Sequence, residues 1–143
     1  MPDVIELGDD STIPDSESLY LRVHPDTVTA EDCPPGEFRP ASGSFRRAEP
    51  LSVDLGSKCT PEETQLRANG NPFHVACFIA GVAREQGCRV RRDPEPKNDA
   101  HALVVGDHQD DNGAMSKSQM RQIARQSRII LWDPRYPKEQ YVK

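Results

Sequence analysis

The stretch DPEPKNDAHALVVG, residues 93–106, sets a histidine at the mouth of an apolar run, with Asp93 and Asn98 in the polar loop just before it. Histidine changes charge near neutral pH, so His101 is a candidate general base or ligand contact. Asp93 and Asn98 would stand beside it as the other members of a catalytic group. The same residues also have a structural use. Asn98 and Asp99 can make local turn hydrogen bonds, while Pro94 and Pro96 stiffen the approach to the strand.

Arg22 in LYLRV and Ser52 and Asp54 in LSVDL form a second set. Both segments alternate apolar and polar residues, which puts Arg22 on one strand's polar face and Ser52 and Asp54 on another's. A planar guanidinium suits a carboxylate or phosphate ligand, so the three together are a candidate ligand-binding surface. A third set is basic. Lys117, Arg121, Arg125 and Arg128 recur at helical spacing opposite Met120, Ile123 and Ala124, and make a stripe that can face an acidic protein or a nucleic-acid backbone. His108, Asp107, Asp110 and Asp111 cluster in GDHQDD, without the alternating Asp-x-Asp-x-Asp-Gly spacing of a calcium loop. No metal is expected there. The four cysteines, Cys33, Cys59, Cys77 and Cys88, lack the close pairs of a zinc knuckle, and they read as buried or incidental thiols. Neither a glycine-rich phosphate loop nor a nucleophile elbow occurs, so no cofactor is called for.

These residues need a scaffold, and 143 residues suit one modest core. Hydrophobic residues make up 35% of the chain and charged residues 29%. The net charge of -5 is unevenly spread. Residues 1–18 carry Asp3, Glu6, Asp9, Asp10, Asp15 and Glu17 with no base, and read as an acidic, disordered leader. Residues 116–143 carry seven bases against Asp133 and Glu139. The two ends can attract each other or each meet a partner. No apolar stretch approaches membrane-spanning length and no signal-like segment opens the chain, so no membrane partner is expected, and a cytoplasmic location is.

From residue 19 onward a single α+β domain is expected, with a small mixed or mainly antiparallel sheet and two or three short helices. Strands are expected over SLYLRV, LSVDL, the first half of FHVACFIAGVAREQG, CRVRR, AHALVV and RIILW. Residues 25–43, with four prolines and two glycines, read as loop. One helix begins at TPEE, where Thr60 and Glu63 form a capping box around Pro61; another begins at SKSQ, where Ser116 and Gln119 do the same. Gly87 closes a helical turn that follows the strand ending near Ala80.

The order LYLRVHPD, FRPASGSF, LSVDL, TPEET and DPEPKNDAHALVVG resembles a group of small uncharacterised bacterial proteins over roughly residues 19–128. That resemblance implies a bacterial, cytoplasmic origin. A fainter likeness runs to the ADP-ribosyltransferase-like folds, in which an arginine-bearing strand is followed by a serine-bearing one, the places Arg22 and Ser52 would take. The leading expectation is a small interaction or accessory protein of a bacterial multicomponent system. It would meet a protein partner through the loops at 25–43 and 93–99 and the basic helix. The alternatives are a small enzyme acting on a nucleotide-type ligand, as that fainter likeness implies, and a nucleic-acid-binding protein using the basic helix.

Overall fold

A computed structural model describes residues 8–45, 50–68, 70, 73–107 and 113–141. The strands are β1 (Ser18–Val23), β2 (Val28–Thr29), β3 (Arg39–Pro40), β4 (Leu51–Leu55), β5 (His74–Ile79), β6 (Arg89–Arg92), β7 (His101–Val105) and β8 (Arg128–Leu131). The α-helices are α1 (Pro61–Leu66), α2 (Ala80–Glu85) and α3 (Lys117–Arg125). Six strands form one antiparallel sheet in the order β6-β7-β4-β1-β5-β8, and β2 and β3 pair as a separate two-stranded ribbon. The fold is α+β.

Period-two alternation decides which side of each strand is apolar. Leu19, Leu21 and Val23 of β1 and Leu51, Val53 and Leu55 of β4 share the core with Ala76, Phe78, Val90, Ala102 and Val104. Ile123 and Ala124 of α3, Ala83 of α2 and Phe45 close that face. On the other face the register pairs Cys77 with Tyr20, Tyr20 with Asp54 and Asp54 with His101 across four adjacent strands. Helix α1 packs on this polar face, where its Thr64 hydroxyl donates to Asp54 Oδ2 at 2.8 Å.

Both expected capping boxes form. Thr60 Oγ1 accepts from Glu63 N at 3.1 Å while Glu63 Oε1 accepts from Thr60 N at 3.0 Å. Ser116 Oγ accepts from Gln119 N at 3.2 Å, and Gln119 Oε1 accepts from Ser116 N at 2.9 Å. Gln119 is buried and its amide does more: Oε1 also accepts from Asp107 N at 3.0 Å, and Nε2 donates to Gln86 O at 3.0 Å and Asp107 Oδ2 at 3.2 Å. One side chain thus joins the ends of α2 and β7 to the start of α3. Gly87 follows α2 with φ of +84°, the left-handed conformation expected of its position.

Two expectations need correction. Residues 25–43 are not all loop, because Val28–Thr29 and Arg39–Pro40 pair, with Val28 opposite Pro40. Four prolines hide the ribbon, but the Pro-Pro-Gly between its strands and Gly36 at φ +82° build its turn. Residues 8–17, read as part of a disordered leader, lie against β6 and α2. Asp10 N donates to Val90 O at 2.8 Å, and Asp9 Oδ1 accepts from Val90 N at 2.9 Å. Arg84 of α2 donates to Asp9 Oδ1 at 3.0 Å and to Asp15 Oδ1 at 2.7 Å, and Ile13 is buried in the core. The acidity that suggested disorder is matched by one arginine and a strand's own amides. Residues 1–7 of that leader lie outside the described residues.

Candidate functional site

The polar residues of β1, β4 and β7 converge. Tyr20, Arg22, Ser52, Val53, Asp54 and His101 line one hollow on the α1 side of the sheet. Asp54 is its buried centre, 2% exposed. Its Oδ1 accepts from Asn98 Nδ2 at 2.8 Å, and Oδ2 from Thr64 Oγ1 and Arg67 Nη1, each at 2.8 Å. Burial raises the carboxyl's pKa, but the bonds from Asn98, Thr64 and Arg67 outweigh it and hold the group below the ordinary aspartate value. Arg22 Nη1 lies 3.4 Å from Thr64 O, and His101 Nδ1 lies 2.9 Å from Asp93 O and 3.1 Å from Asp93 Oδ2.

All six residues singled out from the two strands and the 93–101 stretch therefore belong to one neighbourhood. Thr64 and Arg67 complete it. Sequence reading missed both, although the capping box at Thr60 fixes the helix that carries Thr64. The hollow itself holds about 10 Å³, the room of one water molecule rather than of a nucleotide. Asp54, with three donors on two oxygens, ties α1 and the 93–99 loop to the sheet.

The basic stripe meets a larger opening. Arg121 and Arg125 of α3, with Thr29, Glu31, Arg39, Ala41 and Ser42, line a groove of about 350 Å³. A second hollow of about 200 Å³ shares Ser42 and Arg121 and adds Gly43, Lys117 and Met120. Lys117, Arg121 and Arg125 are exposed and have no carboxylate partner among the described residues. Arg128 departs from the stripe. It begins β8, its Nη1 donates to Arg125 O at 3.0 Å and Ser127 O at 2.8 Å, and its Nε lies 3.8 Å from Glu37 Oε1. The helix ends before the stripe's fourth position, and the arginine there caps the carbonyls left at its C-terminal end.

Arg39 is the member that sequence reading missed. It is 6% exposed, with Nε donating to Glu31 O and Nη1 to Pro40 O, both at 2.9 Å. Its Nη2 stands 3.8 Å from Glu31 Oε1, too far for a hydrogen bond. The signal available was the ribbon itself, since pairing of β2 with β3 carries Arg39 to the end of α3.

His108, Asp110 and Asp111 lie outside the described residues; Asp107 accepts from Gln119 and stands 3.8 Å from Arg89. Among the described residues no group of three side chains is arranged to hold a metal, and no helix is long and apolar enough to cross a membrane. Cys77, expected to be buried, is half-buried on the polar face, and burial pushes its thiol up; Cys88 is buried and pushed up to about 12. Comparison with protein-family models, curated proteins and solved structures gives no match.

Proposed function

We propose that this protein is a small interaction or accessory protein, and that it receives an acidic segment of a protein partner in the groove between the β2–β3 ribbon and α3. One observation carries the reading. The 25–43 segment and the basic helix, far apart in sequence, wall a single groove of about 350 Å³ whose Arg121 and Arg125 lack carboxylate partners among the described residues. Exposed cations around a concavity steer an anionic partner and fix its register. Asp9 and Asp15, of the acidic segment near the chain's start, are engaged away from the groove, on Arg84.

Nucleic acid is the competing partner class, because the same stripe can meet phosphates. Nucleic-acid binders carry a broad basic surface, and a sequence pI near 5.3 favours the short acidic segment of a protein instead. Fluorescence anisotropy with a labelled acidic peptide and a single-stranded oligonucleotide tests the choice. The peptide is expected to bind the full chain, and the double reversal Arg121→Glu with Arg125→Glu to abolish binding. No peptide binding, binding indifferent to the reversal, or tighter oligonucleotide binding that falls steeply with salt overturns the reading.

A further inference from the structure

We infer that the inner part of this groove is an oxyanion site, and that the segment it receives is anchored by a phosphorylated side chain. The inference rests on the partner-binding reading above and names what the partner carries.

Arg39 is the key residue. A guanidinium has five N–H donors in a planar fork, and Arg39 is almost wholly withdrawn from solvent while giving two of its nitrogens to backbone carbonyls. Its charge faces no hydrogen-bonded carboxylate, since the nearest, on Glu31, is 3.8 Å from Nη2 and belongs to a side chain 73% exposed. A buried cation is costly until an anion completes it. Arg39 lines the same groove as Arg121 and Arg125, which lie one helical turn apart, so an anion held there has three arginines in its walls.

The number of charges selects the ligand. A carboxylate brings one negative charge and two oxygens. A phosphomonoester brings close to two charges and three strong acceptor oxygens, and paired forks bind it at several points. Two hydroxyl groups add to the same lining. Thr29 Oγ1 accepts from Glu31 N at 3.1 Å and so keeps its own proton to donate, and Ser42 is the second. The adjoining hollow, with Met120 and the side-chain-free Gly43, shares Ser42 and Arg121 with the inner groove. It has the size and lining for a small apolar neighbour of the phosphorylated residue.

The test uses the full chain and three labelled peptides with identical acidic flanks and a following leucine, differing only in a central phosphoserine, serine or glutamate. The phosphoserine peptide is expected to bind at least about tenfold more tightly than either of the others, the step that added charge-assisted hydrogen bonds give. Arg121→Gln and Arg125→Gln, both at exposed positions, are expected to remove that preference. Glu31→Gln is expected to strengthen it a few-fold by removing the competing carboxylate. Equal binding of the three peptides overturns the oxyanion site and leaves the acidic-partner reading standing. Inorganic phosphate competing as tightly as the phosphopeptide binds overturns the phosphorylated segment in favour of a free-phosphate site. If the glutamate and serine peptides and the phosphopeptide all fail to bind, both readings fall.

Discussion

Asn98 gives its side-chain amide to Asp54 Oδ1 at 2.8 Å across 44 residues of chain. The contact makes the 93–99 loop part of the sheet's polar face. The loop's own bonds agree: Asn98 Oδ1 accepts from Ala100 N at 3.1 Å, and Glu95 and Asn98 form an isolated antiparallel bridge. Asn98→Ala removes a donor from a buried carboxylate and an acceptor from a backbone amide. It is expected to lower unfolding stability by about 2 kcal/mol, the usual cost of unpaired buried polar groups. Peptide binding at the groove should be unchanged. Urea denaturation followed by the same anisotropy measurement checks both halves.

Acid sensitivity has a specific origin in His74. The ring is fully buried, its Nδ1 accepts from Asp133 N at 2.8 Å, and it stacks on Trp132 with centroids 3.9 Å apart. Burial lowers its pKa from 6.5 to about 4, outweighing the pull of Asp133. Unfolded His74 takes a proton as pH falls below 6.5, and the folded ring does not until about pH 4. Stability is therefore expected to fall by about 3 kcal/mol across that window. Asp133, held down mainly by its bond from Arg135, and Asp54 are both depressed from 3.8, so their contributions are lost at still lower pH. Denaturation midpoints between pH 7 and pH 4 test the slope, and His74→Phe should flatten it while lowering stability at pH 7, where the bond to Asp133 N is lost.

Gln119 makes a sharper test than most buried amides because its donor and acceptor ends cannot be exchanged. Gln119→Glu keeps the acceptor for Asp107 N and Ser116 N but sets a second oxygen against Gln86 O and the Asp107 carboxylate. The expected loss is about 3 kcal/mol at neutral pH, from an unpaired buried charge beside two acceptors. Hydrogen exchange at Ser116 and Asp107 should rise more than at β1.

Gly106 stands where the end of β7 crosses the segment leading into α3. A Cβ there would lie 2.3 Å from Met115 Cα and 2.6 Å from Ala114 O, both backbone atoms. Gly106→Ala is expected to cost about 3 kcal/mol or more. Gly43→Ala, with nothing within 4 Å, should leave stability within about 0.5 kcal/mol. Parallel thermal melts of the two variants separate the steric effect from any general loss of glycine.

What could be read from the sequence was local. Alternation in LYLRV and LSVDL put Arg22, Ser52 and Asp54 on the polar face, and the spacing in TPEE and SKSQ located both capping boxes. The ambiguous FHVACFIAGVAREQG resolved as expected into β5 and then α2, because Gly87 closes the turn. What escaped depends on pairings between distant segments. Arg39 reads as an ordinary loop arginine until β2 and β3 pair, and Arg67 reads as a helix-end base until Asp54 meets it at 2.8 Å. Arg128 fits helical spacing, but its backbone joins β5 instead. Helical spacing gives no sign of where a helix stops, and here the stop removes one member of the stripe.

The placement of Asp9 and Asp10 along β6 also bears on solubility. A sheet's outer strands present unpaired amides that a second chain can extend, and that hazard grows with apolar content. Here Val90 gives its N–H to Asp9 and its carbonyl to Asp10 N, while at the opposite margin Ile129 N donates to Phe38 O at 2.8 Å. The chain thus occupies part of both of its own margins. Deleting residues up to 12 would expose Val90 as a template, and the shortened protein should form concentration-dependent, strand-mediated polymers. The acidic opening then acts as a guard against self-assembly, and its mutations would be felt first in the test tube as turbidity.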